Sequence, residues 1–217
     1  MNNYKQKFII VMSAGRCGST STMNYLNALS DFNIYGENYG FILDLLNCIS
    51  TLDKFTKQAQ STKINSYDRY KLNKKYANNG FYYDDKKKLI SIKNNLLNQI
   101  KLFFESEFEH IGFKEIRWLN YDLNILNILE MLYDPIIYIH LTRSSDDQAM
   151  SLKKTFKNHL SLKKIHEYID NTNSAISKFL SGNHKKHIAI NISDNTNFLE
   201  TIKNFIIKDD LWTDLIV

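Results

Sequence analysis

The chain has 217 residues, 43% of them hydrophobic and 13% aromatic, and a net charge of +5. That much apolar material builds one sizeable core and excludes a disordered chain. There is no run of eighteen apolar residues, so no transmembrane segment is expected, and the two cysteines, Cys17 and Cys48, give neither a disulfide framework nor a metal-ligand spacing.

Phe8-Ile9-Ile10-Val11-Met12 is a short apolar, β-branched run that predicts a buried strand. It leads straight into Ser13-Ala14-Gly15-Arg16-Cys17-Gly18, so it reads as structure and not as a signal peptide. With few cysteines, that points to the cytoplasm. Ser19-Thr20-Ser21-Thr22 opens a helix predicted to continue through Met23, Tyr25, Leu26 and Leu29. A strand, a glycine loop and a helix N-terminus make an anion site, because unpaired N–H groups and the helix dipole both favour a phosphate or sulfate there. A nucleotide P-loop wants Gly, four residues, then Gly-Lys-Ser/Thr. Aligned on Gly18, this chain has Ser13 for the first Gly and Ser19 for the Lys.

Further along, Phe32 to Tyr35 predicts a second strand that stops at Gly36. Glu37 follows it, before the helical apolar face of Phe41, Ile42, Leu45 and Leu46. A carboxylate there serves as a general base or as a partner of a helix dipole. Thr51 to Gln60 and Leu89 to Phe108 carry helical patterns, and polar, tyrosine-rich sequence lies between them. Ile111 to Phe113 predicts a short strand, with Lys114 and Arg117 at its end; cations there either stabilise developing charge or sit on the surface. Tyr121 to Tyr133 predicts an amphipathic helix, and Ile136 to Thr142 a central parallel strand in which His140 packs. No acidic residue stands at the end of that strand, where an NTPase would hold Mg²⁺. Arg143 marks the strand tip, and a helix starting near Asp146 carries Ser151, eight residues on from Arg143. Leu160 to Leu180 predicts a long helix, His187 to Ile192 a strand and Phe198 to Ile207 a closing helix.

Arg16-Cys17-Gly18-Ser19-Thr20 resembles the 5′-phosphosulfate loop of sulfotransferases that use 3′-phosphoadenosine-5′-phosphosulfate (PAPS). Gly36-Glu37, twenty-one residues past Arg16, resembles that family's Gly-Glu pair; Gly112-x-Lys114-x-x-Arg117 and the Arg143–Ser151 spacing resemble two further family segments. Gln148-Ala149-x-Ser151-Leu152 is similar to bacterial sulfotransferases that modify carbohydrates. The resemblance implies PAPS as donor, no metal, and an acceptor hydroxyl on a sugar or glycoconjugate. It implies that Glu37 is the base and that Arg16 and Lys114 stabilise the transferring group. Gly15, Arg16, Cys17, Gly18, Ser19, Thr20 and Ser21 would hold the 5′-phosphosulfate, and Arg143 and Ser151 the 3′-phosphate. Arg117 either holds the acceptor or pairs with a carboxylate.

The fold expected is a three-layer α/β sandwich with a mostly parallel central sheet and P-loop-like topology. It forms a single domain over residues 1–217 with a helical insertion or cap at about 47–107. In that cap Tyr82 and Tyr83 can stack on sugar rings or decorate the surface. The scattered lysines carry no recognition motif, so no nucleic-acid partner is expected. The family's basic, glycine-containing C-terminal loop has no counterpart here, which leaves the adenine contacts unassigned. The competing functions are a P-loop small-molecule kinase and an inactive module of the same fold that binds anions or glycans.

Overall fold

The computed structural model describes residues 6–37, 40–61, 86–155, 159–182 and 186–208. Five strands form one sheet: β1 (Lys7–Ser13), β2 (Phe32–Tyr35), β3 (His110–Glu115), β4 (Ile136–Thr142) and β5 (His187–Asn191). Their order is β2-β3-β1-β4-β5, and every pairing is parallel. The helices are α1 (Ser19–Asn27), α2 (Phe41–Ser61), α3 (Lys86–Phe103), α4 (Ser145–Thr155), α5 (Leu162–Ser181) and α6 (Phe198–Ile207).

Alternation along the strands divides the apolar side chains between two layers. Ile9, Val11, Ile137, Ile139 and Leu141 point to one face, where Leu26 of α1 and Ile202 and Ile206 of α6 cover them. Tyr138 and His140 point to the other, where Tyr138 meets Phe179 of α5 edge-on and His140 reaches Asn173. Helices on both faces of a parallel sheet are the three-layer sandwich expected from the sequence. Gly112 allows its centre to close: a Cβ there would fall 1.8 Å from the Ile9 carbonyl oxygen.

The chain divides into two compact units, residues 1–41 with 106–217, and residues 42–105, which interrupt the first in sequence. The sheet belongs to the first. In the second, α2 is one continuous helix where the sequence pattern shows two patches, and Lys93 of α3 pairs with Asp53 of α2 at 2.7 Å. Tyr82 and Tyr83 lie outside the described residues.

Two further elements differ from expectation. The Tyr121–Tyr133 stretch is a 3₁₀ segment over Leu123–Met131, capped by Asp122, whose side chain accepts from the Asn124 N–H at 3.0 Å. Its sequence, LNILNIL, repeats every three residues, and a 3₁₀ helix stacks residues i and i+3 in a row. Leu123, Leu126 and Leu129 are therefore all buried. Helix α3 stops at Phe103, short of the predicted Phe108. Glu105 and Glu107 follow, and acidic residues oppose the negative end of the helix dipole.

Candidate active site

The C-terminal ends of β1, β3 and β4 open on one cleft of about 630 Å³. Open α/β sheets bind ligands at this edge, outside the carboxyl ends of the strands. The cleft is lined by Gly15, Arg16, Gly18, Ser19, Thr20, Ser21, Glu37, Arg143 and Ser151, together with four apolar side chains. Cys17 is not among them: its thiol is buried in the core and donates to the Gly15 carbonyl at 3.4 Å. Burial pushes that thiol up to about 12, against smaller opposing effects of Arg143 and the Gln148 amide, so it stays protonated at neutral pH.

The loop between β1 and α1 is left-handed at three residues, Gly15 (φ 85°), Arg16 (φ 57°) and Gly18 (φ 69°). Gly18 caps α1 without any side-chain hydrogen bond to the helix. The first N–H groups of a helix lack intrahelical partners, so Ser19, Thr20 and Ser21 present theirs at the cleft. A Cβ on Gly18 would stand 3.3 Å from Ile192 and 3.4 Å from Phe198. Arg16 is the one non-glycine among the described residues with positive φ. That conformation costs about 1–2 kcal/mol and persists only where the surroundings hold it.

Distant segments meet at the cleft, although Lys114, unlike its partners Thr20 and Glu37, is buried and not among the lining residues. The Lys114 ammonium, 6% exposed, donates to Thr20 Oγ1 at 3.1 Å and to Glu37 Oε1 at 2.5 Å. The Arg16 Nε donates to Ser151 Oγ at 2.9 Å, so the first loop and α4 touch directly. Arg143 stands at the β4 tip with the Asp147 carboxylate 3.8 Å away.

Of the two roles open to Arg117, acceptor binding or pairing with a carboxylate, the fold supplies the second. Its guanidinium grips the fully buried Glu115 through Nε at 2.9 Å and Nη2 at 3.0 Å. Glu115 also accepts the N–H groups of Ile116 at 2.8 Å and Arg117 at 3.1 Å. An acid therefore does stand at the end of a strand beside β1, on β3 and not on β4. Three of these four donors fall on Oε1 and one, the Arg117 Nη2, on Oε2. Among the described residues no group of three His, Cys, Asp or Glu side chains is placed to hold a metal ion, and no helix is long and apolar enough to cross a membrane.

Sequence reasoning missed the apolar lining, Ile116, Leu152, Ile192 and Phe198. Ile192 and Phe198 bound the short connection from β5 to α6. The signal available was positional, since a residue just past a parallel strand faces this edge.

No protein-family model matches the chain, and no curated protein matches it. Among solved structures it is similar to a sulfotransferase from Alicyclobacillus acidocaldarius, at 14% identity and a TM-score of 0.49, over 92% of this chain and 80% of that one.

Proposed function

We infer that the protein is a cytoplasmic sulfotransferase that uses PAPS and sulfates an acceptor hydroxyl, most simply one on a sugar or glycoconjugate. The observation that carries this reading is the Lys114 ammonium, buried between Thr20 at the helix N-terminus and the Glu37 carboxylate. One cation thus joins an anion cradle to a base.

The donor set fits an anionic nucleotide. Arg16, Lys114 and Arg143 are cationic, and Ser19, Thr20, Ser21 and Ser151 are hydroxylic. The loop amides and hydroxyls would hold the 5′ end, Arg143 and Ser151 the 3′-phosphate, and the apolar wall of Ile192 and Phe198 the flat face of the base. When bound, PAPS would supply the sulfuryl group for in-line transfer to the acceptor oxygen, its bond to the 5′-phosphate oxygen breaking as adenosine 3′,5′-bisphosphate leaves. Glu37 takes the hydroxyl proton onto its carboxylate. Lys114 Nζ, already aimed at the helix N-terminus, donates to the oxygen on which charge develops, and Arg16 adds a second cation from within the loop. Two of the three ammonium N–H donors are engaged by Thr20 and Glu37, and the third is the one offered to that oxygen.

Thermal unfolding tests the reading with adenosine 3′,5′-bisphosphate, ATP–Mg²⁺ and adenosine 5′-monophosphate. A ligand at about a hundred times its Kd adds about 2.7 kcal/mol, or about 5–10 °C for a chain of this size. A rise with the bisphosphate is the expected result. A rise with ATP–Mg²⁺ alone would replace the sulfotransferase by a kinase.

A further inference from the structure

Gln148 is fully buried and does not line the cleft, yet it makes one of the shortest side-chain hydrogen bonds to the loop. Its Nε2 donates at 2.6 Å to the Gly15 carbonyl, which the Cys17 thiol reaches only at 3.4 Å. One turn further along α4, Ser151 receives the Arg16 guanidinium at 2.9 Å. Residues three apart on a helix share a face, so one face of α4 grips two consecutive loop residues. Leu152 of the same helix packs where a side chain on Gly15 would stand, 3.8 Å from the position of its Cβ. The Ser13 hydroxyl accepts the Gly15 N–H at 3.2 Å and steadies the other side of that residue.

The Gly15–Arg16 peptide is the unit at risk. Both flanking residues are left-handed, and a half-turn of the planar peptide would exchange its carbonyl for its N–H at little change in chain path. A trans peptide points its C=O and N–H in opposite directions. Drawing the Gly15 carbonyl into the interior therefore turns the Arg16 N–H away from Gln148. A carbonyl released into the cleft would repel any anion bound there.

We propose that Gln148 is a positioning residue for the anion loop: it holds the Gly15 carbonyl out of the cleft and so keeps the loop, with Arg16 docked on Ser151, in the form that accepts an anion. This rests on the reading of the loop as a phosphosulfate site.

The test is calorimetric titration of adenosine 3′,5′-bisphosphate into wild type, Gln148→Met and Gln148→Glu between pH 5 and 8, at a temperature where circular dichroism shows each protein native. Gln148→Met keeps length and packing but has no donor; it should bind about three- to tenfold more weakly, the scale of one well-placed hydrogen bond. Gln148→Glu can donate to the carbonyl only when protonated. Its affinity relative to wild type should recover toward pH 5 and fall toward pH 8, a dependence that mere loss of packing would not give. Affinity within twofold of wild type in both variants overturns the proposal. Should neither variant fold, the wild type decides. The Gln148 side-chain amide resonance should shift and its protons exchange more slowly on adding the bisphosphate, and an unmoved resonance overturns the proposal. Wild type that ignores the bisphosphate overturns the sulfotransferase reading instead. Inorganic pyrophosphate then replaces it as probe: weaker binding in Gln148→Met supports the loop role, and equal or absent binding overturns it.

Discussion

β3 and β4 both pair with β1 and both end at the cleft, but they present charge in opposite ways. At the end of β3 every ionic group is engaged: Lys114 by Glu37 and Thr20, and Glu115 by Arg117 and two backbone amides. At the end of β4, Arg143 is 36% exposed and its carboxylate partner Asp147 is 60% exposed and 3.8 Å away. An exposed pair of that kind contributes little, typically below about 1 kcal/mol. On the proposed function, the difference gives the two rims different work. Charges fixed before the reaction can stabilise a transition state without reorganising, whereas a loosely held arginine is free to close on a ligand's phosphate.

The largest expected effects set the two rims against each other. Lys114→Met should lower kcat by about 10²–10³-fold, as removal of one preorganised donor does, and leave bisphosphate affinity within a few-fold. Glu37→Gln should fall in the range of about 10²–10⁴-fold, the usual worth of a positioned base. Arg143→Ala should instead weaken the bisphosphate by about 1.5–3 kcal/mol, roughly ten- to a hundredfold, with a smaller change in kcat. Sulfuryl-transfer kinetics with direct nucleotide titration separates the cases. If Lys114→Met lost affinity while Arg143→Ala lost turnover, the division of work between β3 and β4 would be reversed.

The next effect is on stability and belongs to β3 alone. Glu115→Gln leaves the Arg117 guanidinium without its counter-charge. Breaking a buried pair from one side costs about 3–5 kcal/mol. Arg117 is 30% exposed, so the lower end is expected, a fall in Tm of about 6–12 °C by scanning calorimetry. Asp147→Asn on the β4 rim should move Tm by no more than about 1–2 °C. Equal shifts would mean that Glu115 carries no more than a surface pair.

How far the two rims could be read from sequence differs for the same physical reason. A strand buried on both faces is a run of apolar, β-branched residues, and β4 and β2 have the predicted bounds, as does α6. The turn between β1 and α1 was legible because small and hydroxylic residues after an apolar, β-branched run mark the passage from a strand to a helix. Arg143 and Ser151 were legible as neighbours of one cleft because the end of a parallel strand and the start of the helix after it both lie at that edge of the sheet. The side-chain pairings on β3 were not, since Lys114 reaches Glu37 across 77 positions of sequence and nothing local reports it. Gln148 was visible as a letter, but its grip on Gly15 depends on α4 lying against a loop 133 positions away. The 3₁₀ segment is a different failure. Its period of three is written in LNILNIL, and it passes for an amphipathic helix because leucines at 3.6 and at 3 residues per turn coincide over so short a stretch.

The smallest expected effect concerns the body of the strands, where β3 and β4 are alike. Each buries a histidine: His110, stacked on Phe32 with ring centroids 4.2 Å apart, and His140 in the middle of β4. Burial lowers both, outweighing Glu109 and Asp31 at His110 and the Asn173 hydrogen bond at His140. The folded protein therefore holds them neutral at a pH where the unfolded chain, titrating near about 6.5, has begun to bind protons. In that window the unfolded state carries more protons, so stability rises with pH. The contribution is complete above the unfolded value and is lost as pH falls from there toward the folded values. Each histidine adds at most about 1.4 kcal/mol per pH unit to the slope. Carboxylates titrate nearby, so the decisive quantity is a difference between proteins. His110→Phe keeps an aromatic ring against Phe32 and removes the titration, and its urea-unfolding free energy should fall less steeply than wild type from pH 7 to pH 5. Bisphosphate affinity in that variant should follow the wild-type pH profile, because His110 opens β3 and the cleft lies at the strand's other end. Parallel stability slopes would mean that His110 takes up its proton inside the fold, next to Glu109. A changed affinity profile would mean that the body of β3 and its rim are coupled, and the contrast with β4 would then extend along the whole strand.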